Sequence, residues 1–249
     1  MSVEKSEAIV LRTYNLTESS KIIVLLTPGR GKVRAVAKGV RRTKSKFGSA
    51  LEPITHVEAQ IYFKEGRDLQ TLSQAETRES FPSIRSDLTR LGLASLMCEL
   101  MEQFVQEDEE STPQFVLLLV SLKTLASMSK NYGSLLISFY MKLLDISGLL
   151  PEVNFCVRCK GAIRDHAYLA TAGGALCSKC SAGAGERISA GSLKVMIRLL
   201  TTDWTMLERI RLTEQSVNEI LNALNAYIFY HTGHELKSAK FLRSLSSLK

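Results

Sequence analysis

The sequence predicts an α+β protein: a small five-stranded β-barrel, then an all-helical domain with an inserted four-cysteine metal module. Three observations predict it. Five short runs rich in Val, Ile and Leu fall within residues 1–80, separated by turn residues. Beyond Pro82 the apolar period changes from about two to about 3.6 residues. Four cysteines then fall in two tight pairs inside a stretch that has neither period. The expected boundaries are 1–80 for the barrel and 81–249 for the helical domain, with the module at about 153–187.

Residues 7–14, 21–27 and 32–39 are the first three strands, and Pro28-Gly29-Arg30-Gly31 is a tight connection between the second and third. From 56 to 64 the chain alternates. Val57, Ala59, Ile61 and Phe63 face one way, and His56, Glu58, Gln60, Tyr62 and Lys64 the other. A Glu65-Gly66-Arg67-Asp68 turn leads to a fifth strand at 69–72. Five short strands suit a small closed barrel, for which the oligonucleotide-binding (OB) barrel is the commonest candidate. An SH3-like barrel is the rival, and periodicity does not separate the two.

The helical part begins with one apolar face through Ile84, Leu88, Leu91, Leu96, Leu100 and Phe104, ending in a solvated acidic run at 107–110. Thr112 followed by Pro113 reads as an N-cap and a first helical position, where proline's missing N–H costs nothing. A third helix over about 133–147 is stopped by Gly148 and Pro151. Helical patterns return at 189–200, 213–230 and 238–248.

The pairs Cys156-Val-Arg-Cys159 and Cys177-Ser-Lys-Cys180 stand 17 residues apart, a spacing that suits zinc. Each C-x2-C turn aims two sulfurs at one point, and two turns complete a tetrahedron. Four protein ligands leave no position for water or substrate, so one structural Zn²⁺ is expected, with redox-active or disulfide-bonded pairs as the alternatives. Gly161 would let backbone N–H groups approach a thiolate. Arg158, Lys160, Arg164 and Lys179 are placed to offset the negative charge of the centre. His166 lies between the pairs but is surplus to four thiolates, and Cys98 sits in an apolar helical pattern as a small buried hydrophobe.

Net charge is +7 and unevenly spread: +5 over residues 1–80, −4 over 81–155 and +6 over 156–249. No acidic residue occurs from 19 to 51, where nine cations do. Among them Arg30, Lys32, Arg34, Lys38, Arg41, Arg42, Lys44 and Lys46 are the candidate nucleic-acid ligands, forming a positive groove that follows a phosphate backbone. The bland reading is a solvated charge run. Phe47, Tyr62 and Tyr14 are aromatics that either stack on bases or belong to the core. Catalytic patterns are missing from the sequence. Gly29-Arg30-Gly31 lacks the Lys-Ser/Thr of a phosphate-binding loop, and there is no GxSxG and no paired Asp cluster. A non-enzyme is expected. A zinc hydrolase or nuclease and a pure protein adaptor are the rival classes. With no apolar run of about 18 residues and no secretory pattern at the start, no membrane partner is expected and the location is cytoplasmic.

The order of these features resembles the RecO family of bacterial DNA repair proteins. Four segments carry the resemblance: EAIVLRTYNLTESSKIIVLLTPGRGKVRAVAKG at 7–39, RRTKSKFGSALEP at 41–53, SFYMKLLDISGLLPEVNFCVRCKG at 138–161 and HTGHELKSAKFLRSL at 231–245. The resemblance implies an N-terminal OB barrel and a helical domain carrying the zinc module. It also implies binding of single- and double-stranded DNA and annealing of complementary strands. With RecR, and in some pathways RecF, it implies loading of RecA onto strands coated with single-stranded-DNA-binding protein (SSB), without nucleotide hydrolysis. Such a protein is nucleoid-associated. An acidic SSB tail ending in phenylalanine would need a cation beside an apolar groove, for which Lys237, Lys240 and Arg243 are candidates.

Overall fold

A computed structural model describes residues 2–42, 45–170 and 173–244. The chain forms two compact units, Met1–Ala126 and Ser127–Lys249.

In the first unit, β1 (Ser2–Asn15), β2 (Lys21–Thr27), β3 (Gly31–Ala37), β4 (His56–Phe63) and β5 (Gln70–Glu79) close into a barrel in the order β1-β2-β3-β5-β4. Every neighbouring pair is antiparallel except β3–β5, which run parallel from Ala35↔Gln70 to Ala37↔Leu72. The parallel contact, with closure of β1 on β4, is the Greek-key arrangement of the OB barrel and decides against a simple antiparallel meander. The inward residues alternate along each strand: Ala8 and Val10, Ile23 and Leu25, Val33 and Ala35, Val57, Ala59 and Ile61. Ile9, Leu11, Val24 and Leu26 point the other way and are buried too. That is why β1 and β2 read as continuous apolar runs: both faces of these strands are covered, and α2 packs on β1. The fifth strand is longer than its apolar content suggested. It stays paired with β4 as far as His56↔Glu79, although only Leu72 and Ala75 reach the core.

Three helices complete this unit: α1 (Pro82–Arg85), α2 (Leu88–Phe104) and α3 (Thr112–Ser127). The face read as one helix from Ile84 to Phe104 is broken at Asp87, whose carboxylate caps α2 by accepting from the Arg90 N–H at 2.9 Å. Thr112 is already helical and Ser111 stands before it, so Pro113 lies inside the first turn. The acidic run between α2 and α3 is exposed at 107–110, as expected of a solvated patch, but its backbone is also tied down. It lies along the β2–β3 turn, where Lys32 N–H donates to Gln106 O (2.9 Å), Asp108 N–H to Arg30 O (3.1 Å) and Ser111 N–H to Pro28 O (2.7 Å). Gly31 makes this approach possible. Its φ is +56°, and a Cβ there would stand 2.5 Å from Gln106 O.

In the second unit α4 (Tyr132–Ile146) is buried along most of its length, against α6 (Ala190–Thr201), a 3₁₀ turn (Trp204–Arg209) and α7 (Glu214–Thr232). Buried Ser134 and Ser138 donate to Leu207 O and Leu199 O. The Lys142 ammonium reaches the carbonyls of Leu199, Leu200 and Thr202 at the end of α6 and lies 5.2 Å from the Trp204 ring. The last helix is α8 (Lys237–Ser244). The cysteine segment holds a three-stranded antiparallel sheet absent from the sequence reading: β6 (His166–Ala170) between β7 (Gly174–Cys177) and β8 (Glu186–Ser189), with α5 (Ser178–Ser181) following β7. Among the described residues no helix is long and apolar enough to cross a membrane.

Candidate metal centre and nucleic-acid interface

The β6–β7 sheet and the turn at 155–162 bring the two cysteine pairs together. Cys156 N–H donates to Gly161 O (3.0 Å), Lys160 N–H to Cys156 O (2.8 Å) and Val157 N–H to Ala175 O (2.9 Å), which ties the first pair to β7. The second pair straddles the junction of β7 and α5. The residue that turns left-handed in the first pair is Lys160 (φ +59°), and Gly161 is not at positive φ. What Gly161 provides is room: a Cβ there would meet the Cys159 sulfur at 3.4 Å.

All four Sγ atoms lie within 4.8 Å of one another, with Cys159 and Cys177 at 3.9 Å. A tetrahedral ion with metal–sulfur bonds of about 2.3 Å needs sulfur–sulfur edges of about 3.8 Å. The donor set therefore fits a four-thiolate metal site. All four thiols are free, which excludes the disulfide arrangement in this structure. Burial opposes ionisation of Cys156, but backbone N–H groups of Cys159, Cys177 and Arg158 outweigh it and bring the thiol down to about 6. Cys180 is pushed up to about 12 by hydrogen bonding with the Cys177 and Cys159 side chains and by burial. Of the cations placed nearby in sequence, Arg158 donates to Cys180 O (2.7 Å) and Lys160 lies 5.1 Å from the Phe155 ring, while Arg164 and Lys179 are exposed. Cys98 is separate and fully buried, and burial pushes its thiol up to about 12.

The barrel cations divide into two groups. Arg30 is bidentate to Glu4 (Nε–Oε2 2.8 Å), reaches Asp108 at 3.2 Å and lies 4.5 Å from the Phe63 ring. Its hydrogen bond with Glu4 raises the guanidinium pKa and lowers that of the carboxyl. Lys32 donates to Glu102 O (2.8 Å), and Arg34 pairs with Glu107 at 3.1 Å. The absence of carboxylates within 19–51 is thus compensated in three dimensions for the β2–β3 turn. The second group is different. Lys38, Arg41, Arg42 and Lys46 are exposed and make no ion pair among the described residues, and Arg41 only donates to Thr17 O (3.1 Å). Lys44 lies outside the described residues. The connection that carries them is anchored underneath by Phe47, Ala50 and Leu51, which plug the barrel core.

Of the three aromatics, Phe47 is core, 3% exposed. Tyr62 is half-buried, and Tyr14 is exposed, with its hydroxyl between Arg12 and Glu102. The sequence reading also passed over a group in the second unit: Arg198, Arg209 and Arg211 line one surface cavity. The only trace of it in the sequence is the +6 of residues 156–249.

Comparison with known proteins places these features. Residues 1–81 match the family model described as "Recombination protein O N terminal", and residues 85–240 match "Recombination protein O C terminal". The chain belongs to the RecO family. It is 38% identical to a DNA repair protein RecO from Symbiobacterium thermophilum over the full length of both chains. It is 36% identical to one from Nocardioides sp., covering 96% of this chain and 98% of that one. To one from Bifidobacterium longum subsp. infantis it is 37% identical, over 91% and 94%. The join between the two RecO family models falls where the barrel ends and α1 begins, whereas α1 to α3 belong to the same compact unit as the barrel.

Proposed function

We propose that this member of the RecO family is a non-enzymatic DNA-binding mediator of recombinational repair. It binds single- and double-stranded DNA, anneals complementary strands and, with RecR and in some pathways RecF, helps RecA load onto SSB-coated strands. The observation that carries the reading is the exposed arc of Lys38, Arg41, Arg42 and Lys46 on an OB barrel, four cations that no carboxylate among the described residues neutralises. Cations in that state release counterions from a phosphate backbone, and lowered repulsion between two strands lets them pair. Lys44 belongs to the same basic run in the sequence. The Arg30, Lys32 and Arg34 side chains serve first to hold the 106–111 segment on the barrel.

The four cysteines would hold one zinc ion as a structural cross-link between the two sulfur pairs. The segment 152–189 buries few large apolar side chains, so the module's folding depends on that ion. A hydrolase or nuclease would need a metal position left for water, and four thiolates fill the tetrahedron. For the SSB tail, the cleft between α7 and α8 offers Phe229, Leu236 and Lys240 around a cavity of about 380 Å³. Glu235, ion-paired with Lys240, and Glu186 line the same cleft and oppose an acidic ligand there. The side chain of Arg243 lies outside the described residues.

The test is the Arg41→Glu, Arg42→Glu, Lys46→Glu triple variant, titrated against labelled single-stranded oligonucleotide and assayed for annealing of SSB-coated complementary strands. Loss of both with an unchanged melting temperature is expected. Undiminished affinity would remove this loop from the mechanism.

A further inference from the structure

The geometry points to an apolar clamp for one unpaired base, formed by Tyr14 and Leu16 at the end of β1, which sets a preference for single strands over duplex. It rests on the reading of the protein as DNA-binding and adds to it a second kind of contact: the cations grip phosphate, and the clamp grips a nucleobase. Tyr14 is 44% exposed and Leu16 45%. Exposed apolar side chains scattered singly need no explanation. These two share one side of a strand and adjoin the cationic connection through Arg41.

The backbone sets their spacing. The β1–β2 ladder runs through Tyr14↔Ile22 and Asn15↔Lys21, and the Leu16 N–H donates to Ser20 O at 3.0 Å, which carries the ladder one residue further. Residues two apart then lie on the same side, about 6.8 Å from each other. A flat base between two apolar groups needs two van der Waals contacts of about 3.5 Å, about 7 Å in all. The loop that follows is tied in place. Thr17 Oγ1 accepts from the N–H groups of Ser19 (3.4 Å) and Ser20 (3.1 Å), and the Thr17 N–H donates to Ser20 O (3.2 Å). Tyr14 is held by its far end, where the hydroxyl accepts from Arg12 (3.2 Å) and donates to Glu102 (3.4 Å). Both groups stand pre-arranged, so little ordering entropy is lost when a base enters.

The same loop is fastened to the cationic connection. The Arg41 N–H donates to Ser19 O (3.2 Å) and its guanidinium to Thr17 O (3.1 Å). A strand whose phosphates lie on Arg41 therefore passes beside Leu16. Glu18 is exposed at the tip of this loop and argues against a phosphate contact there. Its carboxylate repels the backbone, so the side of the strand that turns to Tyr14 and Leu16 is the base side. In a duplex both faces of each base are covered by stacked neighbours, and its pairing edge by the complement. An unpaired strand can splay a base out and lay it on a side chain. The clamp thus selects the unpaired strand, whereas the cations serve either form.

The test uses the full chain with its metal and the variants Tyr14→Ala, Leu16→Ala and Tyr14→Phe, with circular dichroism melting to verify the fold. Tyr14→Phe keeps the ring and loses only the hydroxyl. Labelled probes of equal length are a mixed-sequence single strand, the same sequence as duplex, and a single strand of abasic sites, which has phosphates but no bases. Each alanine variant should bind the base-bearing single strand about fivefold or more weakly, with its salt slope unchanged and Tyr14→Phe near the parent. Affinity for the abasic strand and the duplex should stay within about twofold. Undiminished affinity for the base-bearing strand overturns the inference. An equal loss on the abasic strand or the duplex also overturns it, since the two side chains would then only support the loop. The Arg41→Ala, Arg42→Ala variant runs in parallel. If it binds every probe as the parent does while Tyr14→Ala fails on the base-bearing strand alone, the cationic-loop reading falls and the clamp stands. If the parent binds none of the probes, both fall.

Discussion

Replacing Gly31 by alanine tests how the acidic segment is held on the barrel. The φ of +56° costs an L-residue roughly 1–2 kcal/mol. The new Cβ would also stand 2.5 Å from Gln106 O, 2.8 Å from Glu109 O and 2.9 Å from Ser111 Oγ. Two of these are backbone oxygens, which move only with the 106–111 segment. Moving it breaks three backbone hydrogen bonds, through the N–H groups of Lys32, Asp108 and Ser111. At about 0.5–1.5 kcal/mol each, these bring the total to roughly 3–6 kcal/mol. Gly29, in the same turn, is the matched control: its φ is not positive, and a Cβ there meets nothing within 4 Å. Urea unfolding followed by circular dichroism should show Gly31→Ala lowering the midpoint strongly and Gly29→Ala scarcely at all. Hydrogen exchange should quicken at the Lys32, Asp108 and Ser111 amides. A loss under about 1 kcal/mol for Gly31→Ala, or an equal loss for the two variants, would refute the close-approach argument.

Three further outcomes follow from single environments. After chelation, native protein should react with a maleimide at four thiols, and the fifth, Cys98, should react only in denaturant. Five fast thiols would show that the burial of Cys98 is not maintained. His56 is 6% exposed, its Nε2 lacks a hydrogen-bond partner and lies 3.7 Å from Glu7, and burial lowers its pKa from 6.5. The unfolded chain therefore binds the proton first, so stability should fall as pH drops below 6.5 towards the folded value, and His56→Gln should flatten that dependence in unfolding curves at pH 7.5 and 5.5. Lys142→Met removes the ammonium from three carbonyls at the end of α6 and should cost about 2 kcal/mol in a melt followed by Trp204 fluorescence. An unshifted melt would make Lys142 a bystander.

What the sequence made legible was whatever depends on near neighbours. The strand at 21–27 matches β2 residue for residue, because Ile22 to Leu26 is an unbroken apolar run between a cation and Pro28. The four cysteines announce their convergence by spacing alone. Legibility ended where polar residues build structure. The stretch Ser73–Glu79 carries β5 onward by pairing with β4, with Ala75 as its single core residue, so no alternation betrays it. The strands β6, β7 and β8 are four or five residues long, too short for a period. The break before α2 was written in Asp87, but an apolar face continuing across it hid the cap. Charge compensation could not be read at all: the partners of Arg30 lie 26 and 78 residues away in the chain.

That compensation decides how the barrel cations should contribute to binding. A phosphate that approaches Arg30 or Arg34 must displace Glu4, Asp108 or Glu107, exchanging one anion for another with little counterion release. A phosphate that approaches Arg41 or Arg42 displaces only solvent and condensed ions. On single strands each productive contact contributes about 0.7 to the log–log salt slope. Arg41→Gln with Arg42→Gln should therefore flatten the slope by about 1.4, whereas Arg30→Gln with Arg34→Gln should leave it within about 0.3 of the parent. The second pair should instead lower the melting temperature, because it unties the 106–111 segment. Equal flattening by the two pairs would mean that the carboxylates yield to DNA, and that the β2–β3 turn belongs to the binding surface together with the loop that follows it.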